Sequence, residues 1–212
     1  MRVTPDDLDF HRIHEHYKNR LSTSKKLRSF MKKGDAKNYV RLAIGIADLS
    51  GNYSASEHNL GPKILAETSN ESVFSLAEQL NACQSALRIP ELIYQAAIRY
   101  LKISVGSEMA MMLQPDQFWV ANTRSVWAHF LVEYNFDYRA AKDVLLAYRE
   151  TQTPEMNYSM WKKIYSDMRS NLSTLGKLGD EASMRAGLKT DGMIQYLWYD
   201  AIANELYDRF HK

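Results

Sequence analysis

The chain holds a single cysteine, Cys83, in 212 residues. That excludes an internal disulfide and any zinc cluster built on paired cysteines. No apolar run approaches the roughly 18 residues of a membrane-crossing helix, and the opening MRVTPDDLDFHRIHEH is too polar and acidic for a secretory leader. The expectation is a soluble, cytoplasmic protein without membrane contact. The sequence shows no low-complexity tract and no internal repeat. It lacks a Gly-rich phosphate loop, a G-x-S-x-G elbow, an H-E-x-x-H pair and any paired-Cys motif, so the common signatures of nucleotide, acyl-transfer and zinc chemistry are missing. The reading is therefore a protein that is not an enzyme and needs no cofactor.

What is present suits a well-filled interior. Hydrophobic residues make up 45% of the chain, and 13 Tyr and 4 Trp supply bulk for interiors or interfaces. The length fits one helical domain or two small ones. A net charge of +2 says little until its distribution is followed along the chain.

Thr4-Pro5-Asp6-Asp7 reads as a helix start: a capping hydroxyl, proline at the first position and acids in the first turn. That helix is expected to end near Arg20. His11 and His14 share a face with Asp7 one turn before, but no firm third ligand joins them, and His16 points elsewhere. A polar, solvated helix is the expected reading over a metal site.

Lys18 to Arg41 then carries nine basic residues, Lys18, Arg20, Lys25, Lys26, Arg28, Lys32, Lys33, Lys37 and Arg41, against the single acid Asp35. Positive charge is concentrated here, because the rest of the chain sums to −6. Leu21, Leu27, Phe30 and Met31 interleave with the cations, which argues for an anchored helix. A stretch of this kind suits nucleic-acid phosphates, with strong salt dependence; the bland alternative is a solvated basic face. Residues 39–50 read as helix, and Gly51 to Pro62 reads as a loop and internal boundary.

The central stretch runs from Gly61 to Lys102. Leu76, Leu80, Cys83 and Leu87 form an apolar helical stripe, with Cys83 expected as a small buried thiol. After a short turn, Pro90 opens a second helix in which Leu92, Ile93, Ala96, Ala97, Tyr100 and Ile103 recur at helical spacing. The residues Glu91-Leu92-Ile93, Ala96 and Ile98-Arg99-Tyr100-Leu101 resemble the second helix of the ribbon-helix-helix superfamily, which includes the Arc and MetJ repressors. The match covers about a fifth of the chain. The resemblance implies a mainly α fold with one short strand, Lys63 to Thr68, pairing across an obligate homodimer to form a ribbon that enters the major groove of double-stranded DNA. It implies DNA contact by Lys63, by Thr68, Ser69 and Asn70 as base readers, and by backbone amides from Arg88 to Glu91. With helical extensions on both sides, the arrangement is similar to transcriptional regulators carried on conjugative plasmids, activators of transfer genes among them.

Gly106 to Pro115 is expected to break the pattern. From Gln114 four helices follow, in Phe118 to Tyr134, Tyr138 to Glu150, Met156 to Leu175 and the last twenty residues, with Gly176 to Gly192 as a loop. Met109, Met111 and Met112 read as core filler. The half from Gly106 onward holds twelve basic and fourteen acidic residues, so it is expected to serve oligomerisation or partner contact. The expected regions are 1–60, basic and helical; 61–105, DNA-binding core; and 106–212, helical.

Two other functions stay open. Arg124 and His129 fit the R-x4-H pattern of HEPN ribonucleases, which resemble this chain in being all-helical and use such a pair at a dimer interface. That resemblance implies RNA cleavage by Arg124 and His129, whereas His129 among Trp127, Phe130 and Leu131 also reads as a core histidine. A helical adaptor with no nucleic-acid partner is the third reading.

Overall fold

Asp9 starts the first long helix. Its carboxylate accepts from the backbone amides of His11 (3.0 Å) and Arg12 (3.2 Å), as an N-terminal cap does. The Thr4-Pro5-Asp6-Asp7 signal makes only a 3-10 turn, Pro5–Asp7, after which Leu8 is extended. The helix itself, α1, is Phe10–Lys33 and runs far past Arg20. Sequence pattern misses this because its inward face turns polar: Arg20, Thr23 and Ser24 are buried there, and apolar periodicity fades. Gly34, at φ 65°, ends α1: its amide donates to Met31 and that of Asp35 to Phe30, the paired closure of a glycine-terminated helix.

The computed structural model describes residues 3–149 and 153–210, and among these it holds eleven α-helices and no strand. The all-helical class follows; the ribbon does not. The chain divides into two compact units, one formed by Lys18–Asn122, the other by residues up to Tyr17 together with those from Thr123.

The Lys18–Asn122 unit contains the rest of α1 and six more helices: α2 (Ala36–Ala43), α3 (Tyr53–Glu57), α4 (Leu60–Glu67), α5 (Asn70–Ala82), α6 (Ile89–Ala96) and α7 (Ile103–Leu113). Lys63 to Glu67, expected as strand, belongs to α4, and Thr68 ends it. Gly61 and Ile64 are its buried residues, a three-residue spacing that fits a helix and not a period of two. Lys, Leu, Ala and Glu are also good helix formers. Pro62 falls in the first turn, where its missing N–H is harmless. Gly61 is needed for packing, since a Cβ there would lie 2.6 Å from the Ile44 carbonyl oxygen. Ser69 caps α5, its hydroxyl accepting from the Ser72 amide at 3.2 Å. The helix ends at Cys83, which is buried as expected, but Leu87 beyond it is exposed.

The family-like second helix is also interrupted. α6 stops at Ala96, because Ala97 (φ 50°) and Tyr100 (φ 65°) take left-handed conformations, and α7 begins only at Ile103. Gly106 lies inside α7 and breaks nothing; a Cβ on it would meet Ile93 of α6 at 2.6 Å. It lets two helices approach, which sequence reading took for a stop. Met109, Met111 and Met112 are core residues. The centre of this unit also contains Leu27, Tyr39, Ile64, Leu76, Leu80, Ile89 and Ile93.

In the other unit, α8 (Thr123–Glu133) packs against α9 (Tyr138–Arg149), α10 (Pro154–Arg185) and α11 (Gln195–Phe210). Ser125 to Leu131 are buried on every side of α8, the pattern of a central helix. Four helices were expected here and four are found, with two differences: residues 118–122 precede α8 instead of opening it, and α10 runs on past Leu175. α10 continues through Gly176 and Gly179, because those glycines let α11 approach: a Cβ on Gly176 would overlap the Tyr199 ring, and one on Gly179 the Ile202 side chain.

Candidate nucleic-acid interface

Between Lys18 and Lys33, the exposed positions of α1 are Lys18, Asn19, Ser22, Lys25, Lys26, Ser29, Lys32 and Lys33. At 3.6 residues per turn these fall within about 140° of the helix circumference and span about 22 Å of its length. Five are lysines and none is acidic. Asp48 approaches the edge of this face, with one carboxylate oxygen 3.9 Å from Lys26 Nζ. Lys32 and Lys33 occupy the last turn, where the helix dipole favours cations. On α2, Lys37 and Arg41 are exposed one turn apart, opposite buried Tyr39, Val40 and Leu42.

The arginines between Lys18 and Lys33 go elsewhere. Arg20 is wholly buried, with Nη2 2.5 Å from Glu108 Oε1 and Nη1 donating to the Gly51 carbonyl at 2.9 Å. Its guanidinium also lies over the Tyr53 ring, 5.1 Å from the centroid. Arg20 is therefore no phosphate contact. Arg28 is half-buried and lines a cleft of about 430 Å³ with Met31, Lys32, Glu78 and Asn81. No spacing in the sequence links Arg20 to Glu108, which lie 88 positions apart.

The residues taken from the ribbon reading sit on helices and the joints between them, not on a strand. Lys63 is exposed on α4, its ammonium 6.0 Å from the Tyr100 ring centroid. Thr68 and Ser69 join α4 to α5, and Asn70 opens α5. Arg88 is exposed with Nε 3.7 Å from Glu91. The amides of Arg88 and Ile89 already donate to Ser85 and Ala86, and Pro90 has none, so this helix start offers little to a phosphate.

Arg124 and His129 are not brought together. Five positions along α8 place them roughly 140° apart. Arg124 Nε donates to Asn204 Oδ1 (2.8 Å) and Nη2 lies 3.5 Å from Asp208, both on α11. His129 meets Asn171 of α10 at 2.9 Å. Of the early histidines, His11 is exposed, His14 meets Ser183 and the Trp198 ring, and His16 lies 3.8 Å from Asp200. Among the described residues, no group of three His, Cys, Asp or Glu could hold a metal, and no helix is long and apolar enough to cross a membrane.

Charge separates by unit. Lys18–Asn122 holds thirteen basic and nine acidic residues, a net +4; the remainder holds fourteen and sixteen, a net −2. In comparison with known proteins, the chain matches no family model, no curated protein and no solved structure.

Proposed function

We propose that the protein binds double-stranded DNA through the lysine face of α1, flanked by Lys37 and Arg41 on α2, and that the α8–α11 unit is its protein-facing half. The observation behind this is the run of five exposed lysines on α1 with no acid among them. A row of ammonium groups on a rigid helix gains by displacing counterions condensed on a phosphate backbone. The unit that holds α8–α11, at a net −2 together with the residues up to Tyr17, suits partner or regulatory contact better than DNA. Such binding needs no ribbon, since the segment that would form one is helical, and no second copy of the chain. A role in transcription remains part of the proposal.

The test is titration of a labelled duplex, at a series of salt concentrations, with the wild type and with a variant carrying Lys25→Ala, Lys26→Ala, Lys32→Ala and Lys33→Ala. The wild type is expected to bind at low salt and to weaken steeply as salt rises. The variant, with unchanged helical circular dichroism, is expected to bind less tightly and to lose about 0.9 from the slope of log K against log salt for each phosphate contact removed. Absence of duplex binding at low salt would falsify the proposal.

A further inference from the structure

Resting on that reading, we infer that the interface has no base readout: it recognises the backbone of any duplex regardless of sequence and disfavours single strands. Sequence is read by side chains that pair with base edges, arginine or lysine with guanine and asparagine with adenine, and of the two cations only arginine brings a rigid fork that fixes the pairing geometry. Between Lys18 and Lys33, the stretch of α1 that carries the cationic face has withdrawn its arginines. Arg20 is committed to buried Glu108 and to the Gly51 carbonyl. Arg28 is turned partly inward beside Glu78. The outward positions are left to lysine, serine and one asparagine, and lysine meets phosphate as a point charge without directional preference.

Single strands are held differently, by bases stacking on aromatic rings. Residues 18–41 contain two aromatics, Phe30 and Tyr39. Phe30 is half-buried, and Tyr39 is wholly buried against Phe74, with ring centroids 5.4 Å apart. The cationic face thus offers no stacking platform. A duplex, with about one charge per 1.7 Å of axis, presents the denser phosphate array that such a face can use. Arg41 is the exposed arginine of the segment, on α2, and is the residue to control for.

The experiment measures affinity and salt slope for labelled AT-rich, GC-rich and mixed duplexes and for a single strand of the mixed sequence, using the wild type and Arg41→Lys. The expected result is agreement among duplexes within about threefold, against the roughly 10³-fold or greater preference of a sequence-specific protein. A common salt slope and weaker binding of the single strand are expected with it, and Arg41→Lys, whatever it does to affinity, should leave the ratios among the duplexes unchanged. A duplex preference above about tenfold, or tighter binding of the single strand, overturns the inference while leaving DNA binding itself intact. Failure to bind any of the probes at low salt overturns the DNA-binding reading and this inference together.

Discussion

Arg20 Nη2 lies 2.5 Å from Glu108 Oε1, and both side chains are fully closed off from solvent. The pair ties α1 to α7 at the centre of the Lys18–Asn122 unit. Glu108 Oε1 also accepts from the Tyr53 amide at 3.2 Å, and Asn52 Nδ2 donates to the Val105 carbonyl at 3.3 Å. The irregular segment before α3 is thus fastened to α7 by hydrogen bonds and not by apolar packing alone. Isolated in a low-dielectric interior, either charge would be very costly.

Removing one partner should therefore hurt more than removing both. Arg20→Ala and Glu108→Ala are each expected to lose about 3–5 kcal/mol, because each strands a buried charge. Arg20→Met combined with Glu108→Leu should be more stable than either single variant. It will not recover fully, since the Gly51 carbonyl loses its donor. Chemical denaturation of the three variants checks the order, and a double variant less stable than both singles would contradict it.

The second prediction concerns α10. A Cβ on Gly176 would lie 1.8 Å from Tyr199 Cε1, whereas on Gly179 it would meet the tip of the Ile202 side chain at 2.3 Å. A ring has fewer ways to yield than an aliphatic tip. Gly176→Ala is expected to cost about 1–3 kcal/mol through overpacking. Gly179→Ala should come out closer to neutral, because alanine regains up to about 1 kcal/mol of helix propensity. Tyr199→Ala should largely remove the penalty at Gly176, and thermal melts of the single and double variants measure that coupling.

Where the sequence could be read and where it could not follows from which forces leave a local pattern. The helices of the α8–α11 unit were legible because their apolar stripes and end signals are local. Thr153, which accepts from the Met156 amide, caps α10 and Pro154 opens it, two residues before the Met156 start that the apolar stripe suggests. Lys63 to Thr68 was expected as strand only from the likeness of a later helix to a family, and the packing of Gly61 and Ile64, which leaves no local pattern, makes it helix. Glycine misled three times for one reason. Gly106, Gly176 and Gly179 sit within helices to admit a neighbour, and the sequence does not show which glycine has a neighbour. The lysine face was legible from charge alone. The withdrawal of Arg20 depends on a partner 88 positions away and was not.

Gln114 supports a third prediction. Its Nε2 lies 3.2, 2.7 and 3.1 Å from the carbonyl oxygens of Leu80, Asn81 and Cys83, so a side chain following α7 closes the C-terminal end of α5, whose last carbonyls lack helical partners. Gln114→Ala should cost about 1–2 kcal/mol. Gln114→Glu should be worse at neutral pH, because a carboxylate would then face three carbonyl oxygens. Folding would raise the pKa of that new carboxyl, so the Glu variant should gain stability as pH falls toward the ordinary carboxyl range, and the Ala variant should not. Denaturation at neutral and mildly acidic pH separates the two. Parallel pH responses would show that the carbonyls do not sense the side chain.

His129 gives the last prediction, and its sign can be worked out. Burial lowers the imidazole pKa below its ordinary value, while Glu133 and Asp167 act in the opposite direction more weakly. Asn171 Nδ2 lies 2.9 Å from Nδ1, and Glu133 Oε2 lies 3.4 Å from Nε2, an arrangement that suits a neutral ring accepting at Nδ1. With the folded pKa depressed, the unfolded chain binds the proton more readily, so stability falls as pH drops below about 6.5 and levels off below the folded pKa. His129→Gln keeps a polar side chain but cannot titrate. The wild type should therefore lose more unfolding free energy than His129→Gln between about pH 7 and pH 5, whatever their relative stability at neutral pH. The comparison uses slopes, so the other histidines cancel. Equal slopes would mean that His129 takes up its proton as readily in the folded chain as in the unfolded one, and the buried, neutral assignment would fail.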